Sequence, residues 1–213
     1  MRGIHQFPRY RGQAAVRRKI DFEQVYMTIE STFAEKFPLL IVDDTYYLRE
    51  HGPDDVRPFF TYYSDPEVSR YILAHIPTNL EEAKSEVLYC RNLFYTKRGI
   101  FWTLAERKTN LMIGAIGLYI NTMHRRGEIG YDLARAHWGH GIMTRAMETV
   151  IQFTFQTLDL VRIEAVTLHN NAASISLLKR LHFQAEGTLH NYRVHQGKAY
   201  DVEMFALCPD VVS

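Results

Sequence analysis

The sequence has few cysteines, no long apolar segment and almost no net charge. Its two cysteines, Cys90 and Cys208, lie far apart and lack metal-ligand spacing, which predicts a reducing compartment, no disulfide framework and no metal site. No apolar run approaches the roughly 20 residues of a membrane span, and no signal-peptide core is present. The sequence therefore predicts a cytoplasmic chain without a membrane partner. The formal net charge of +1 gives no overall attraction toward nucleic acid, so we expect no direct nucleic-acid contact.

A basic segment begins the chain, although the net charge hides it. The first 20 residues contain six arginines and lysines and no acidic residue, and we favour a solvated arm over a contact surface for an acidic partner. Residues 22–33 then carry apolar side chains at helical spacing after the capping residue Asp21. Because an exposed apolar stripe is sticky, this helix should pack on the domain or form a subunit contact, which leaves a homodimer open. The predicted organisation is an arm and amphipathic helix over 1–44, one folded domain over 45–208 and a tail over 209–213.

Hydrophobic periodicity predicts an α+β fold with a mixed, mostly antiparallel sheet flanked by helices. Strands are predicted at residues 45–49, 101–106, 111–118, 128–133 and 163–168, and a final hairpin at 189–195 and 200–207. Helices are predicted at residues 54–63, 80–94, 142–158 and 172–181, with a short helix restarting near residue 65. The three strands from 101 to 133 form a meander that leads into a helix through a glycine turn.

That glycine turn carries the first chemical signal. Gly139 and Gly141 stand just before the helix that starts near residue 142, where backbone amides have no partner within the helix. Such a turn forms either a phosphate cradle, helped by the positive end of the helix dipole, or simply a tight strand-to-helix connection. It is not a dinucleotide fingerprint, because a third glycine is missing, and it lacks the lysine of a nucleoside triphosphate loop.

Five short motifs occur in order between residues 45 and 207. They are Glu128-Ile129-Gly130-Tyr131, Trp138-Gly139-x-Gly141-x-Met143-Thr144, Arg162-Ile163-Glu164-Ala165, Asn171-x-x-Ser174 and Gly197-x-x-Tyr200-Asp201-Val202. Together they resemble the GNAT superfamily of acyl-CoA-dependent N-acyltransferases, and they are most similar to the branch that acetylates the N-termini of ribosomal proteins. Any one motif is weak, whereas five in the right order make coincidence improbable.

The resemblance implies a fold and a reaction. The strand at 128–133 should splay from the strand that ends at residue 168, so that the pantetheine arm of acetyl-CoA enters between them like an added strand. Acetyl should pass directly from acetyl-CoA to an amine, without a metal. The implied acceptor is a protein or peptide N-terminal α-amine; a small amine such as a polyamine or aminoglycoside, or a non-catalytic regulatory protein that binds acetyl-CoA, are the alternatives. The coenzyme-binding residues implied are Leu133, Trp138, Gly139, His140, Gly141, Ile142, Met143, Thr144, Asn171 and Ser174.

The resemblance also implies candidates for proton transfer. Ser174 matches the position that protonates the thiolate in ribosomal-protein acetyltransferases, although a serine at a helix start also commonly bonds to backbone. The tyrosine that other GNAT enzymes use would fall at Leu178. Glu128 is the candidate base, with a solvent-facing strand-end glutamate as the alternative. The base of the ribosomal branch falls at Arg193, which leaves open a water relay ending on Glu128, His190 or His195.

Two further assignments carry open alternatives. Asn171 should contact the pantetheine arm or cap the following helix. Trp102, Tyr131 and Tyr192 are candidates for the acceptor pocket, and packing in the core is the alternative for such aromatic residues.

Overall fold

A single eight-stranded sheet organises the chain. The computed structural model describes residues 31–33 and 36–209. The strands are β1 (Leu40–Ile41), β2 (Tyr46–Glu50), β3 (Gly99–Glu106), β4 (Met112–Asn121), β5 (Arg126–Leu133), β6 (Arg162–Thr167), β7 (Gln184–His195) and β8 (Lys198–Leu207). Their order across the sheet is β1-β2-β3-β4-β5-β6-β8-β7, and every neighbouring pair is antiparallel except β5 and β6, which are parallel. The predicted class, a mixed and mostly antiparallel α+β fold, is confirmed.

Helices cover both faces of this sheet. They are α1 (Val56–Tyr63), α2 (Pro66–Ser69), α3 (Leu80–Tyr95), α4 (Ile142–Gln156) and α5 (Ala172–Arg180). Capping side chains begin α2, α3 and α5; in α3, Asn79 accepts a hydrogen bond from the Glu82 amide at 3.0 Å. None of the helices within the described residues has the length and apolar character needed to span a bilayer.

The boundaries differ from the predicted ones mainly at the edges of the sheet. The two-residue strand β1 was not predicted, and β7 begins at Gln184 rather than near residue 189. The predicted basic arm, most of the helix at 22–33 and the end of the tail lie outside the described residues. Residues 31–33 are helical, and Phe33 is buried against Phe94 with ring centroids 5.3 Å apart.

Alternating side chains divide the core between the two faces of the sheet. On the α4/α5 face, the inward residues of β3 to β6 pack against apolar side chains such as Met147 and Val150. On the α1/α3 face, a smaller cluster joins Phe59, Tyr62 and Tyr63 to Val87 and to the middle of β4. The central strands are therefore buried on both sides, which fixes their register and holds β5 in place.

Two paired glycines on the α1/α3 face have opposite surroundings. Gly117 of β4 lies opposite Gly130 of β5 in the register of the two strands. A Cβ at Gly117 would stand 2.1 Å from the ring of Phe101, whereas a Cβ at Gly130 would have nothing within 4 Å. Phe101 thus fills the space above Gly117, and the space above Gly130 stays open.

This contrast predicts different stabilities for matched substitutions. Gly117→Ala should lower the free energy of unfolding by about 1–3 kcal/mol, because the added methyl group overpacks the site against an aromatic ring. Gly130→Ala should change it by less than about 0.5 kcal/mol. Urea denaturation of both variants checks this, and equal destabilisation would contradict the assigned packing of Phe101.

Candidate active site

The central feature of the candidate site is a gap between β5 and β6. The two parallel strands pair only over Arg126↔Arg162, Gly127↔Ile163 and Glu128↔Glu164, although β5 continues to Leu133 and β6 to Thr167. Beyond Glu128, no strand among the described residues pairs with the edge of β5 that faces β6. Backbone N–H and C=O groups need partners, so this edge can pair with an extended ligand.

The N-terminus of α4 lies just beyond the open end of β5. Its first residue follows Gly141, which has a left-handed conformation (φ +68°), and no side chain of the described residues caps this helix. By contrast, an asparagine caps both α3 and α5. The first-turn amides of α4 are therefore left to an external acceptor, and the dipole of a 15-residue helix favours an anion there.

Both glycines of the turn are needed for its backbone. Gly139 (φ +78°) and Gly141 adopt conformations that side chains of L-residues rarely reach. A Cβ on Gly139 would meet nothing within 4 Å, so the turn is also open to solvent. Two arginines lie beside it: Arg145 donates to the His140 carbonyl at 3.2 Å, and Arg180 donates to the Thr144 hydroxyl at 3.4 Å. Arg145 is also paired with Asp43 at 2.9 Å, which offsets its charge. The backbone dipoles, with Arg180 nearby, therefore suit this turn to an anion.

Among the other residues predicted to bind the coenzyme, some have buried side chains and one has a half-exposed side chain. The side chains of Ile142 and Met143 are buried in the core, so only their backbone groups face outward. Trp138 is half-exposed, and its indole Nε1 donates to the Leu133 carbonyl at 2.7 Å. That bond ties the end of β5 to the turn and occupies one of the polar groups on Leu133.

A pair of hydroxyl groups bridges the gap. Tyr131 lies on the unpaired part of β5, and Ser174 lies on α5, which follows β6; their side-chain oxygens are 2.7 Å apart. Burial raises the pKa of the Tyr131 phenol to about 12, and its bond to Ser174 opposes that rise. Tyr131 therefore stays protonated at neutral pH, and either hydroxyl can donate to the other. The Ser174 hydroxyl faces Tyr131 rather than its own helix backbone.

Asn171 has a structural role that the sequence left as one of two alternatives. Its side-chain oxygen accepts a hydrogen bond from the Ser174 amide at 3.2 Å, which caps α5. The cap fixes the first turn of α5 and thereby the position of the Ser174 side chain beside β5.

Glu128 is joined to Arg193. A terminal guanidinium nitrogen of Arg193, on β7, donates to Oε1 of Glu128. The two residues that the sequence analysis treated separately, the candidate base and the arginine in place of another family base, therefore form one ion pair. It lies at the last paired position of β5, where the gap begins.

A pocket of about 200 Å³ adjoins this ion pair on the α1/α3 face. Tyr119, Glu128, Glu164 and the half-exposed Tyr192 line it. Tyr192 is therefore beside Glu128, whereas the third aromatic candidate is elsewhere. Trp102 has no exposed surface; it packs on the α4/α5 face, and its indole donates to the Pro38 carbonyl at 2.8 Å. The prediction that Trp102 lines the acceptor pocket is wrong, because a residue without accessible surface cannot contact an acceptor.

One carboxylate near the gap was not predicted as part of the site. Asp132 of β5 accepts hydrogen bonds from the hydroxyls of Tyr62 at 2.7 Å and Tyr63 at 3.0 Å. Burial raises the pKa of Asp132 to about 6, although the two tyrosines and the Ala115 amide favour its ionised form. The signal in the sequence was an acidic residue within a half-buried strand, two positions after Gly130 on the same face.

Comparison with known proteins identifies the class of enzyme. The family described as acetyltransferase (GNAT) domain matches residues 46–184. The uncharacterized N-acetyltransferase YoaA of Bacillus subtilis (strain 168) is 35% identical over 172 residues, 80% of this chain and 97% of that protein. The uncharacterized N-acetyltransferase p20 of Bacillus licheniformis is 35% identical over 161 residues, 75% of this chain and 90% of that protein. The chain belongs to the GNAT family and is an acetyl-CoA-dependent N-acetyltransferase.

A solved structure shares this fold at lower sequence identity. RimL, a ribosomal L7/L12 alpha-N-protein acetyltransferase in complex with coenzyme A, superposes with a TM-score of 0.73 and 21% identity over 81% of this chain and 99% of that chain. The similarity extends across nearly the whole of that enzyme.

The residues around the gap fit acetyl-CoA as donor. Its diphosphate is an anion that suits the uncapped, open turn at Gly139 and the first amides of α4. Its pantetheine arm is a chain of amides that suits the unpaired edge of β5. Neither feature involves a metal ligand or a covalent attachment point.

A charge placed in the turn tests this fit. Gly139→Glu should weaken coenzyme A binding by at least about 100-fold, roughly 2.7 kcal/mol, because a carboxylate would stand beside the diphosphate. Gly197→Glu is the matched control, since Gly197 has a similar backbone (φ +75°) with equally open surroundings in the β7–β8 turn. Isothermal titration with coenzyme A should separate the two variants, and equal loss of affinity in both would reject the cradle.

Proposed function

We propose that this enzyme acetylates the N-terminal α-amine of a peptide or protein, with the acetyl group passing directly from acetyl-CoA. The observation that supports direct transfer is the gap between β5 and β6, bridged by the Tyr131 and Ser174 hydroxyls. A direct reaction needs the amine to be positioned, its proton removed and the leaving thiolate protonated.

We assign donor binding to the turn and the open strand edge. The amides of residues 142–144 hold the diphosphate, and the exposed glycine turn lets it approach the backbone closely. The donor supplies a thioester carbonyl and a thiolate leaving group. Unpaired backbone groups of β5 orient that thioester, and the bond from Trp138 to Leu133 keeps the strand end and the turn in register.

Ser174 is the proposed proton donor to the thiolate. Its hydroxyl lies at the capped start of α5, and Tyr131 can replace the lost proton through their 2.7 Å bond. A phenol with a pKa raised to about 12 is fully protonated at neutral pH, so the pair carries two protons before the reaction.

Removal of the Ser174 hydroxyl tests that role. Ser174→Ala should lower kcat by about 10²-fold, because general acid catalysis typically contributes that much or more. Coenzyme A affinity should stay within about twofold, since the Asn171 cap uses the Ser174 backbone amide and survives. Ser176→Ala, an exposed serine on the same helix, is the control. An unchanged kcat in Ser174→Ala would remove Ser174 from the mechanism.

The size and charge of the pocket beside Glu128 support this acceptor class. A volume of about 200 Å³ is below the roughly 300–1,000 Å³ of pockets that enclose a drug-sized ligand, so it suits the end of a longer molecule. Both of its carboxylates are paired with arginines: Glu128 with Arg193, and Glu164 with Arg126 and Arg162. A polyamine with several positive charges needs uncompensated acidic groups, whereas a peptide N-terminus brings one charge and a polar backbone. RimL, named for acetylation of an α-amine on a ribosomal protein, has the same fold.

An acceptor panel distinguishes these alternatives. Release of free coenzyme A should be measured with short peptides that have a free N-terminus, with the same peptides blocked at the N-terminus but containing lysine, and with spermidine. We expect kcat/KM for the free N-terminus to exceed both others by at least about tenfold, or 1.4 kcal/mol. A preference for spermidine would identify a small-amine enzyme, and coenzyme A binding without turnover on any amine would contradict the proposal.

A further inference from the structure

Two carboxylates flank an open strip of β5 on the α1/α3 face. Residues 128, 130 and 132 share this face because side chains alternate along a strand. Gly130 has no neighbour within 4 Å of a Cβ position, and it is the first residue of this face beyond the last pairing with β6. An acceptor that enters over Gly130 therefore reaches the gap with Glu128 on one side and Asp132 on the other.

The two carboxylates are held in different ways. Glu128 is occupied by the guanidinium of Arg193 and must release it before it can take up a proton. Asp132 receives only neutral donors, the hydroxyls of Tyr62 and Tyr63 and the Ala115 amide, and no cation among the described residues forms an ion pair with it. Two buried tyrosines therefore stabilise the charge of Asp132 and connect this residue to α1.

Given the acetylation of an amine proposed above, on which this step rests, we propose that Asp132, acting through the hydroxyl of Tyr62 or Tyr63, accepts the proton that the acceptor's ammonium group loses before acetyl transfer. The N–H bond of the ammonium breaks and its proton moves to the tyrosine oxygen, while the tyrosine's own proton moves to the Asp132 carboxylate. The products of this step are a neutral amine, an unchanged tyrosine and a neutral carboxyl group. No electron transfer or additional reactant is required.

Geometry allows this relay because each tyrosine hydroxyl can form a further hydrogen bond. A phenolic oxygen that donates to Asp132 can still accept a hydrogen bond from an amine. Burial and the charge of Asp132 raise the pKa of both tyrosines well above its usual value, so they act as neutral carriers rather than ionising themselves. The proton therefore collects on the carboxylate.

The titration of Asp132 suits the same role. Its pKa of about 6 leaves Asp132 ionised at neutral pH and able to accept a proton. The titratable groups around it come from α1 and α3. Tyr62, Tyr63 and Cys90 interact with Asp132 directly. Glu86 interacts with Tyr63 and Cys90, and His75 in turn acts on Glu86. Burial raises the pKa of Cys90 to about 12 and that of Glu86 above its usual value, so Cys90 adds no charge near neutral pH.

The pH dependence of turnover tests this relay. The wild-type enzyme should show an acidic limb in kcat/KM with a midpoint near pH 6, in addition to the titration of the acceptor's own amine, which lies near 8 for an α-amine. The profile should be measured with two acceptors whose amines differ in pKa. Only the limb that belongs to the acceptor's amine should shift from one acceptor to the other.

Four variants then test whether the acidic limb near pH 6 belongs to Asp132. Asp132→Asn should remove the limb near pH 6 and lower kcat by about 10²-fold, with coenzyme A affinity retained. Tyr62→Phe should move the limb to higher pH, since loss of that donor destabilises the carboxylate. Glu128→Gln should leave the limb in place. Asp54→Asn, at an exposed aspartate, controls for the change of charge.

Several outcomes would overturn the proposal. A limb that persists in Asp132→Asn, or that disappears in Glu128→Gln, assigns the proton to another group. If Asp132→Asn does not fold, Tyr62→Phe decides: an upward shift supports the relay, and an unmoved limb refutes it. Loss of stability in Asp132→Asn with an unaltered pH profile would reduce Asp132 to a structural link between β5 and α1.

Discussion

The structure depends on one interruption of hydrogen bonding in the middle of its sheet. After Glu128, β5 and β6 stop pairing, although both strands continue and both are supported on their outer sides by β4 and β8. Buried backbone groups without partners are costly, so a fold keeps such an edge only where something else will pair with it. The Tyr131–Ser174 bond spans the opening and the α4 N-terminus lies at its end. One interruption thus brings together the three parts of the proposed site: the strand edge for the donor arm, the turn for its diphosphate and the hydroxyl for proton donation.

Charge near the opening is arranged in two contrasting ways. At the closed end, Glu128 and Glu164 are paired with arginines, which leaves the small pocket without an uncompensated carboxylate of its own. Farther along the same face, Asp132 keeps its charge among neutral hydroxyls. The paired carboxylates suit recognition of a singly charged amine, and the one without an ion pair suits proton transfer. The first condition derives from arginines on β5, β6 and β7, and the second from the tyrosines that α1 brings to β5.

The sequence predicted the elements and the glycine turn before α4 because their signals are local. Alternation fixed β3, β4 and β5, and two glycines before an apolar helix identified the turn at 139–141. The Glu128–Arg193 ion pair had no local signal, since β7 lies two strands beyond β6 and a register irregularity between Leu189 and Arg193 accompanies the contact. Trp102 was misassigned because alternation along a strand shows only which side chains share a face of the sheet. It does not show which face is covered by helices. Asp132 was missed because its tyrosine partners lie 69 and 70 residues away.

A crystal structure of the enzyme with coenzyme A tests the central claim most directly. The account predicts the diphosphate within hydrogen-bond distance of the backbone amides at residues 139–144, and the pantetheine arm lying along β5 between residues 129 and 133. Coenzyme A bound away from this turn, or β5 and β6 paired along their full length in the complex, would contradict it.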